Sequence, residues 1–240
     1  MPEPHKHSCL HRLLLFALAL IGGAVLAQTP TRPTVIELFT SQGCSSCPPA
    51  DALLGELAQR PDVIALAFHV DYWDYIGWRD RFALPLSAQR QRQYETSLRL
   101  RNSFTPQAII DGDRSVLGSN RSALLAAIKT TPGVAMRLTP SSTALIIALD
   151  EWQGSQHLDV NMISYLPKST TAIARGENAG HVLQEFNIVR SFRRLDQWDG
   201  KPRRFNVPLS SLPADASKVA VLLQQPGAGH IVGAASISVR

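Results

Sequence analysis

Cys44-Ser45-Ser46-Cys47 is the part of this sequence best equipped for chemistry. Thiols three positions apart can close into a disulfide and reopen by exchange, a thiolate attacking one sulfur while the other leaves. They can also act as soft metal ligands or as a fixed cross-link. As a cross-link the pair achieves little. Closing a loop of about four residues stabilises by roughly 2 kcal/mol in the chain-entropy treatment, and a staple normally joins distant segments. A closed zinc site wants about four ligands, and the sequence has no second cysteine pair. The spacing favours a redox-active dithiol, with Cys44 as nucleophile and Cys47 as resolving thiol.

The N-terminus supports that chemistry by its address. Lys6 and Arg12 precede an apolar run, Leu13 to Ile21, and Val25-Leu26-Ala27 offers small residues for cleavage before Gln28. Residues 1–27 thus read as a signal peptide, with an uncleaved anchor as the alternative. The run is short for a membrane span, so no span is expected after cleavage. Cys9 departs with the signal, and the mature chain keeps only Cys44 and Cys47. Periplasmic or secreted placement puts them where disulfides persist. Removing the segment takes two bases (Lys6, Arg12) and one acid (Glu3), changing the net charge from +5 to +4. That mild excess is no nucleic-acid footprint. Hydrophobic residues at 45% and charged residues at 18% are ordinary for a globular chain and exclude a disordered one.

The elements that must position the pair follow from hydrophobic patterning. Val35 to Phe39 is a short apolar strand, and the cysteines follow it across a loop. Pro48 and Pro49 fit the first turn of a helix, where missing N–H groups cost little. Ala50, Leu53, Leu54, Leu57 and Ala58 recur on one helical face, and Pro61 ends it. Val63 to Val70 is a second apolar strand, which makes a parallel βαβ unit. A polar helix over 87–100, strands at 107–110 and 116–117 and a helix ending at Ile128 complete this half. After a boundary at Thr130 to Gly133, short strands follow one another at 134–138, 144–149, 157–165, 170–174, 182–193, 203–208, 218–224 and 230–239. These predict an all-β sandwich over 134–240, behind an α/β domain over 31–131. Asp199-Gly200 is expected to be a hairpin turn.

The order strand, CxxC at a helix start, strand, helix, proline, strand, strand, helix resembles the thioredoxin fold. Longer stretches resemble an exported family catalogued as domain of unknown function 1223. They are Glu37 to Asp51, Phe68-His69-Val70-Asp71-Tyr72-Trp73-Asp74, Thr105-Pro106-Gln107, Arg175 to Gly180, and Asn187 to Arg190. The resemblance spans nearly all of the mature chain. It implies an α/β thioredoxin-like N-terminal domain followed by the β-sandwich-like domain, but it assigns no activity. It also implies that Pro106 is cis and shapes a groove flanked by Thr105 and Gln107.

Glu37 breaks the apolar pattern of its strand, and a buried carboxylate is costly. By resemblance it assists proton transfer at Cys47. The alternative is a structural partnership with an arginine or with backbone. Asp51, near the helix start, is a negative charge that disfavours a thiolate. His69, Asp71, Tyr72 and Trp73 end the second strand at the edge where open parallel sheets place their sites. They suit substrate contact, or packing between the two halves, and His69 suits a proton shuttle. Arg190 to Arg204 is a basic run that suits an acidic partner or a solvated face, and Gly176 to Gly180 is a turn. Together these readings give an exported thiol–disulfide oxidoreductase with no cofactor, working on protein thiols and disulfides with an upstream redox partner. Two alternatives remain: a copper-handling module using both cysteines and His69, and a binding protein whose disulfide is structural.

Overall fold

The computed structural model describes Met1 and residues 30–240. The expected signal segment, Met1 apart, and Cys9 lie outside the described residues. The first half runs β1 (Thr31–Arg32), β2 (Thr34–Thr40), α1 (Pro48–Leu57), β3 (Val63–His69), α2 (Pro85–Ser97), β4 (Gln107–Ile110), β5 (Arg114–Leu117) and α3 (Arg121–Ala127). The second runs β6 (Thr131–Pro132), β7 (Met136–Pro140), β8 (Ala144–Leu149), β9 (Leu158–Ala172), β10 (Val182–Trp198), β11 (Arg203–Pro208), β12 (Lys218–Gln224) and β13 (Ile231–Ser238).

Every residue of β2 and β3 is buried, as expected of central strands covered on both faces. They pair in parallel from Thr34 opposite Val63 to Thr40 opposite His69. Both chains therefore end at the same sheet edge, and the cysteine pair leaves β2 there. Side-chain alternation sorts the two faces. Ile36, Leu38, Ala65 and Ala67 pack with Leu53, Leu54 and Leu57 of α1. Val35, Phe39 and Phe68 pack on the other face with Tyr94 of α2.

The expectation of an α/β domain followed by a separate sandwich is not met. One mixed eight-stranded sheet, in the order β13-β12-β9-β10-β3-β2-β4-β5, runs through both halves, and the chain is mostly β. The junction is a parallel pairing of β10 with β3 at Ile188 opposite Ala67. The core that holds Phe39 and Phe68 continues without a break into Ile163, Val189, Ala220 and Leu222. Burial of β3 is thus completed by a strand more than a hundred residues away. A small sheet, β11-β8-β7, packs Leu145, Ile147 and Leu149 against Val160, Val219 and Val221 of the large one. The Asp199-Gly200 hairpin is corrected too: β11 pairs with β8, so the turn links different sheets.

β9 and β10 are far longer than their neighbours. Residues 159–165 of β9 pair with β12, whereas residues 166–172 pair only with residues 182–188 of β10. This outer half is a two-stranded ribbon. It departs from the sheet at Asn187, which takes φ 48° and donates from Nδ2 to the Ala65 carbonyl at 2.9 Å. The ribbon lies against α1, where Phe186 packs on Gly55. A β-carbon on Gly55 would come within 2.5 Å of that ring.

Candidate functional site

Cys44 and Cys47 are joined as a disulfide, with their Cα atoms 5.4 Å apart. Cys47 is the N-cap and Pro48 is the first helical residue. The N-terminus supplies fewer free donors than a helix start usually does. Pro48 and Pro49 have no N–H, and the Ala50 N–H already reaches the Cys47 carbonyl at 2.8 Å. Thiolate stabilisation by unpaired amides is correspondingly weak here.

Both sulfur-bearing residues are buried, Cys44 at 1% exposure and Cys47 at 0%, while Ser45 and Ser46 between them are exposed. Two arms close the site. One is the aromatic segment after β3, in which Trp73 lies over Gly43 and donates from its indole to the Thr105 hydroxyl at 2.8 Å. The other is the ribbon tip. Asn178 Nδ2 donates to the carbonyls of Gln42 (2.9 Å) and Cys44 (3.0 Å), and the Ser45 N–H donates to Glu177 at 3.3 Å. The tip also meets the first arm, because Gly176 packs against Trp78.

Behind the pair lies a buried polar cluster drawn from five elements. Thr40 of β2 and His69 of β3 point toward the α1 face. Asp51 follows Cys47 by one helical turn and so shares its side of α1. Glu185 and Thr171 come from the ribbon, and Gln42 and Asp80 from the loops. Gln42 donates to Glu185 at 2.6 Å and to Thr171 at 3.1 Å, and Thr171 donates to Glu185 at 2.8 Å. Gln42 also accepts from the Trp78 indole at 2.9 Å. His69 Nδ1 meets Asp80 Oδ2 at 2.7 Å, and that oxygen also accepts the Gln42 N–H at 2.8 Å. His69 Nε2 is buried and has no hydrogen-bond partner among the described residues.

Three carboxyl groups and one imidazole in one buried place perturb one another. Burial pushes Asp51 from 3.8 to about 7, against the pull of the His69 charge and with a further push from Glu185 and Asp80. Burial alone would depress His69, but the charge and hydrogen bond of Asp80, aided by Asp51 and Glu185, hold it above its usual value. Burial opposes ionisation of Asp80, yet His69 and the amides of Gln42 and Phe82 keep it below the usual carboxylate range.

The expected site residues divide accordingly. Trp73 joins Gly43 to Thr105 beside the cysteines, the Thr105–Pro106 peptide is cis, and His69 lies in the buried cluster behind the pair. Asp71 is half-buried at the start of the aromatic segment. Tyr72 bonds Gln91 at 3.0 Å, and Gln91 in turn bonds the buried Gln107 side chain at 2.7 Å. Glu37 is not brought to the pair. It lies on the α2 face, where Arg90 holds its Oε1 at 2.6 Å and also donates to Tyr94 (2.8 Å) and Gln224 (3.2 Å). Its partnership is the structural one. The acid beside Cys47 is Asp51, and its signal was present in the sequence: Cys47, Asp51, Leu54 and Ala58 form one helical stripe, so the carboxyl sits within the buried face. Glu185, Asn178 and Asp80 carry no comparable local signal.

The cysteines are bonded to each other, His69 is committed to Asp80, and no group of three or more metal-ligating side chains occurs among the described residues. The basic run is largely compensated, Arg203 pairing with Asp196, Arg194 with Asp159 and Lys201 with Asp199. Among the described residues no helix is long and apolar enough to cross a membrane.

Residues 35–224 match the family described as protein of unknown function (DUF1223). Among solved structures, protein AGR_C_4864 from Agrobacterium tumefaciens is similar with a TM-score of 0.76 and 29% identity, over 89% of this chain and 97% of that one. HBP35 of Porphyromonas gingivalis is similar with a TM-score of 0.56 and 14% identity, over 87% and 76%. The second likeness is one of fold alone. No curated protein matches the chain.

Proposed function

The chain belongs to the DUF1223 family, and we propose that it is an exported thiol–disulfide oxidoreductase acting on protein thiols and disulfides. The observation that carries this reading is the placement of the disulfide. It spans one turn at the start of α1 and ties no separate elements together, so its worth as a brace is small. Cys44 is the sulfur a partner thiolate attacks and Cys47 is the leaving sulfur. Export rests on the basic start, apolar run and small residues of the first 27 positions. Because both cysteines are buried, exchange requires the ribbon tip to part from Gln42 and Cys44.

Insulin reduction and oxidation of reduced ribonuclease, each run with wild type and Cys44→Ser, test the proposal. Activity lost in the variant supports it, and equal activity ends it. Burial of both sulfurs favours one competing reading, a structural bond. Equilibration with glutathione separates the two, because structural disulfides typically lie below about −300 mV.

A further inference from the structure

We propose that Asp51 is the proton-handling group of the dithiol, giving a proton to Cys47 when the disulfide opens and taking it back when the disulfide closes, with the His69–Asp80 pair setting its charge state. This deepens the oxidoreductase reading and rests on it for its biological use.

The geometry comes first. Asp51 stands one turn after Cys47, and its amide donates to the Cys47 carbonyl at 3.1 Å. Side chains four apart on a helix lie on one face, so the carboxyl shares the side of α1 that carries the Cys47 side chain. No arginine or lysine pairs with Asp51 among the described residues. The groups facing it are Thr40 from β2, His69 from β3, Asp80 from the loop after β3, and Glu185 from the ribbon. The one potential cation among these, His69, has an unpartnered Nε2. Asp51 also lines a groove of about 570 Å³ between α1 and the ribbon, with Pro48, Ala52, Gly55, Leu183 and Phe186. Glu56 is the other charged group on that groove. The groove gives an otherwise buried acid a route for exchanging protons with solvent.

The chemistry balances. A partner thiolate attacks Cys44 Sγ, a new S–S bond forms to the partner, and the Cys44–Cys47 bond breaks with its electron pair on Cys47 Sγ. The Asp51 carboxyl passes its proton to that sulfur and is left as carboxylate. A second partner thiolate then attacks its own sulfur in the mixed disulfide and releases Cys44 as thiolate. The partner dithiol is oxidised by two electrons and the protein disulfide reduced by two. In reverse, Asp51 carboxylate takes the Cys47 proton as that sulfur attacks. Transfer from a carboxyl near 7 to a thiolate whose acid is ordinarily near about 8.5 runs downhill, and both lie close enough for the return. Weak amide stabilisation at this helix start leaves the leaving sulfur dependent on such a donor.

The test is the rate at which dithiothreitol reduces the intact protein, normalised to the reagent's own thiolate, from about pH 6 to about pH 8.5. Wild type is expected to slow by roughly tenfold or more across a midpoint near 7. Asp51→Asn is expected to show no such midpoint and to hold the slow rate throughout, while Asp51→Glu restores an inflection. An unchanged profile in Asp51→Asn overturns the proposal. Should that variant fail to fold, infrared difference spectra of oxidised and reduced wild type decide. Below the midpoint solvent reprotonates Asp51 after the transfer, so reduction must shift its carboxylic-acid band as the free Cys47 thiol forms on the same side of the helix, and no change in the carboxyl region overturns the assignment. The reagent needs no physiological partner. Inactivity with insulin beside an intact pH midpoint therefore removes the oxidoreductase reading alone, and activity without the midpoint removes this one alone.

Discussion

Replacing Asp51 with Asn should stabilise the oxidised protein, increasingly so as pH rises. The folded chain holds the Asp51 proton up to about 7, whereas the unfolded chain releases it near 3.8. Below the lower value both states are protonated and the buried acid costs little. Between the two values the folded state binds a proton that the unfolded state has lost, so wild-type stability falls as pH rises; above the upper value the loss is complete. Each unit of separation is worth about 1.4 kcal/mol, so the full penalty is on the order of 4 kcal/mol. Asn has nearly the shape of the neutral acid and no such penalty. His69 loses one of the charges that raise its pKa, which trims the gain. Urea unfolding of both proteins in their disulfide forms, from about pH 4 to about pH 8, gives the difference directly. It should be near zero at the acid end and reach roughly 2 kcal/mol or more by the alkaline end. Parallel curves across the range would refute the placement of an uncompensated carboxyl at Asp51.

Four further outcomes follow from other contacts. Arg90→Met leaves Glu37 buried without its partner and should cost about 3–5 kcal/mol in urea unfolding; Glu37→Gln should leave the pH profile of disulfide reduction unchanged, and a shifted profile would contradict its place on the α2 face. Asn178→Ala removes two hydrogen bonds that hold the ribbon tip over Cys44. At about 1 kcal/mol each, reduction by dithiothreitol should quicken by roughly thirtyfold, and an unchanged rate would mean the tip does not gate access. Gly55→Ala drives a methyl into the Phe186 ring and should cost about 1–3 kcal/mol, read as a lower urea midpoint.

Local order was legible in the sequence wherever one segment's own pattern decided it. The runs at 35–39 and 63–70 fall within or around β2 and β3, and 144–149, 203–208 and 218–224 coincide with β8, β11 and β12. Pro48 and Pro49 do open α1. The segments at 157–165 and 170–174 belong to one strand, because Pro167 between them is accommodated in a ribbon that pairs on one side only. The fold class was not legible. A continuous apolar run says that β3 is covered on both sides without saying which strand is its neighbour, and β10 supplies that neighbour through a single short pairing. The site was half legible for the same reason. Cys44, Cys47 and His69 are marked by type and local spacing, and Pro106 by the resemblance. Glu185 and Asn178 reach the site by tertiary return, and Glu37 is separated from Cys47 by a sheet that no local pattern reveals.

The ribbon tip also fixes an order of events. The Asn178 amide that covers Cys44 lies 134 positions further along the chain, and Glu185, which borders Asp51, lies further still. A chain emerging from its N-terminus presents both thiols well before their cover exists. The cysteines can therefore meet an oxidant, a reductant or a maturation enzyme while the βαβ unit is still open. Once β9 and β10 fold back, the redox state set in that interval is the one enclosed.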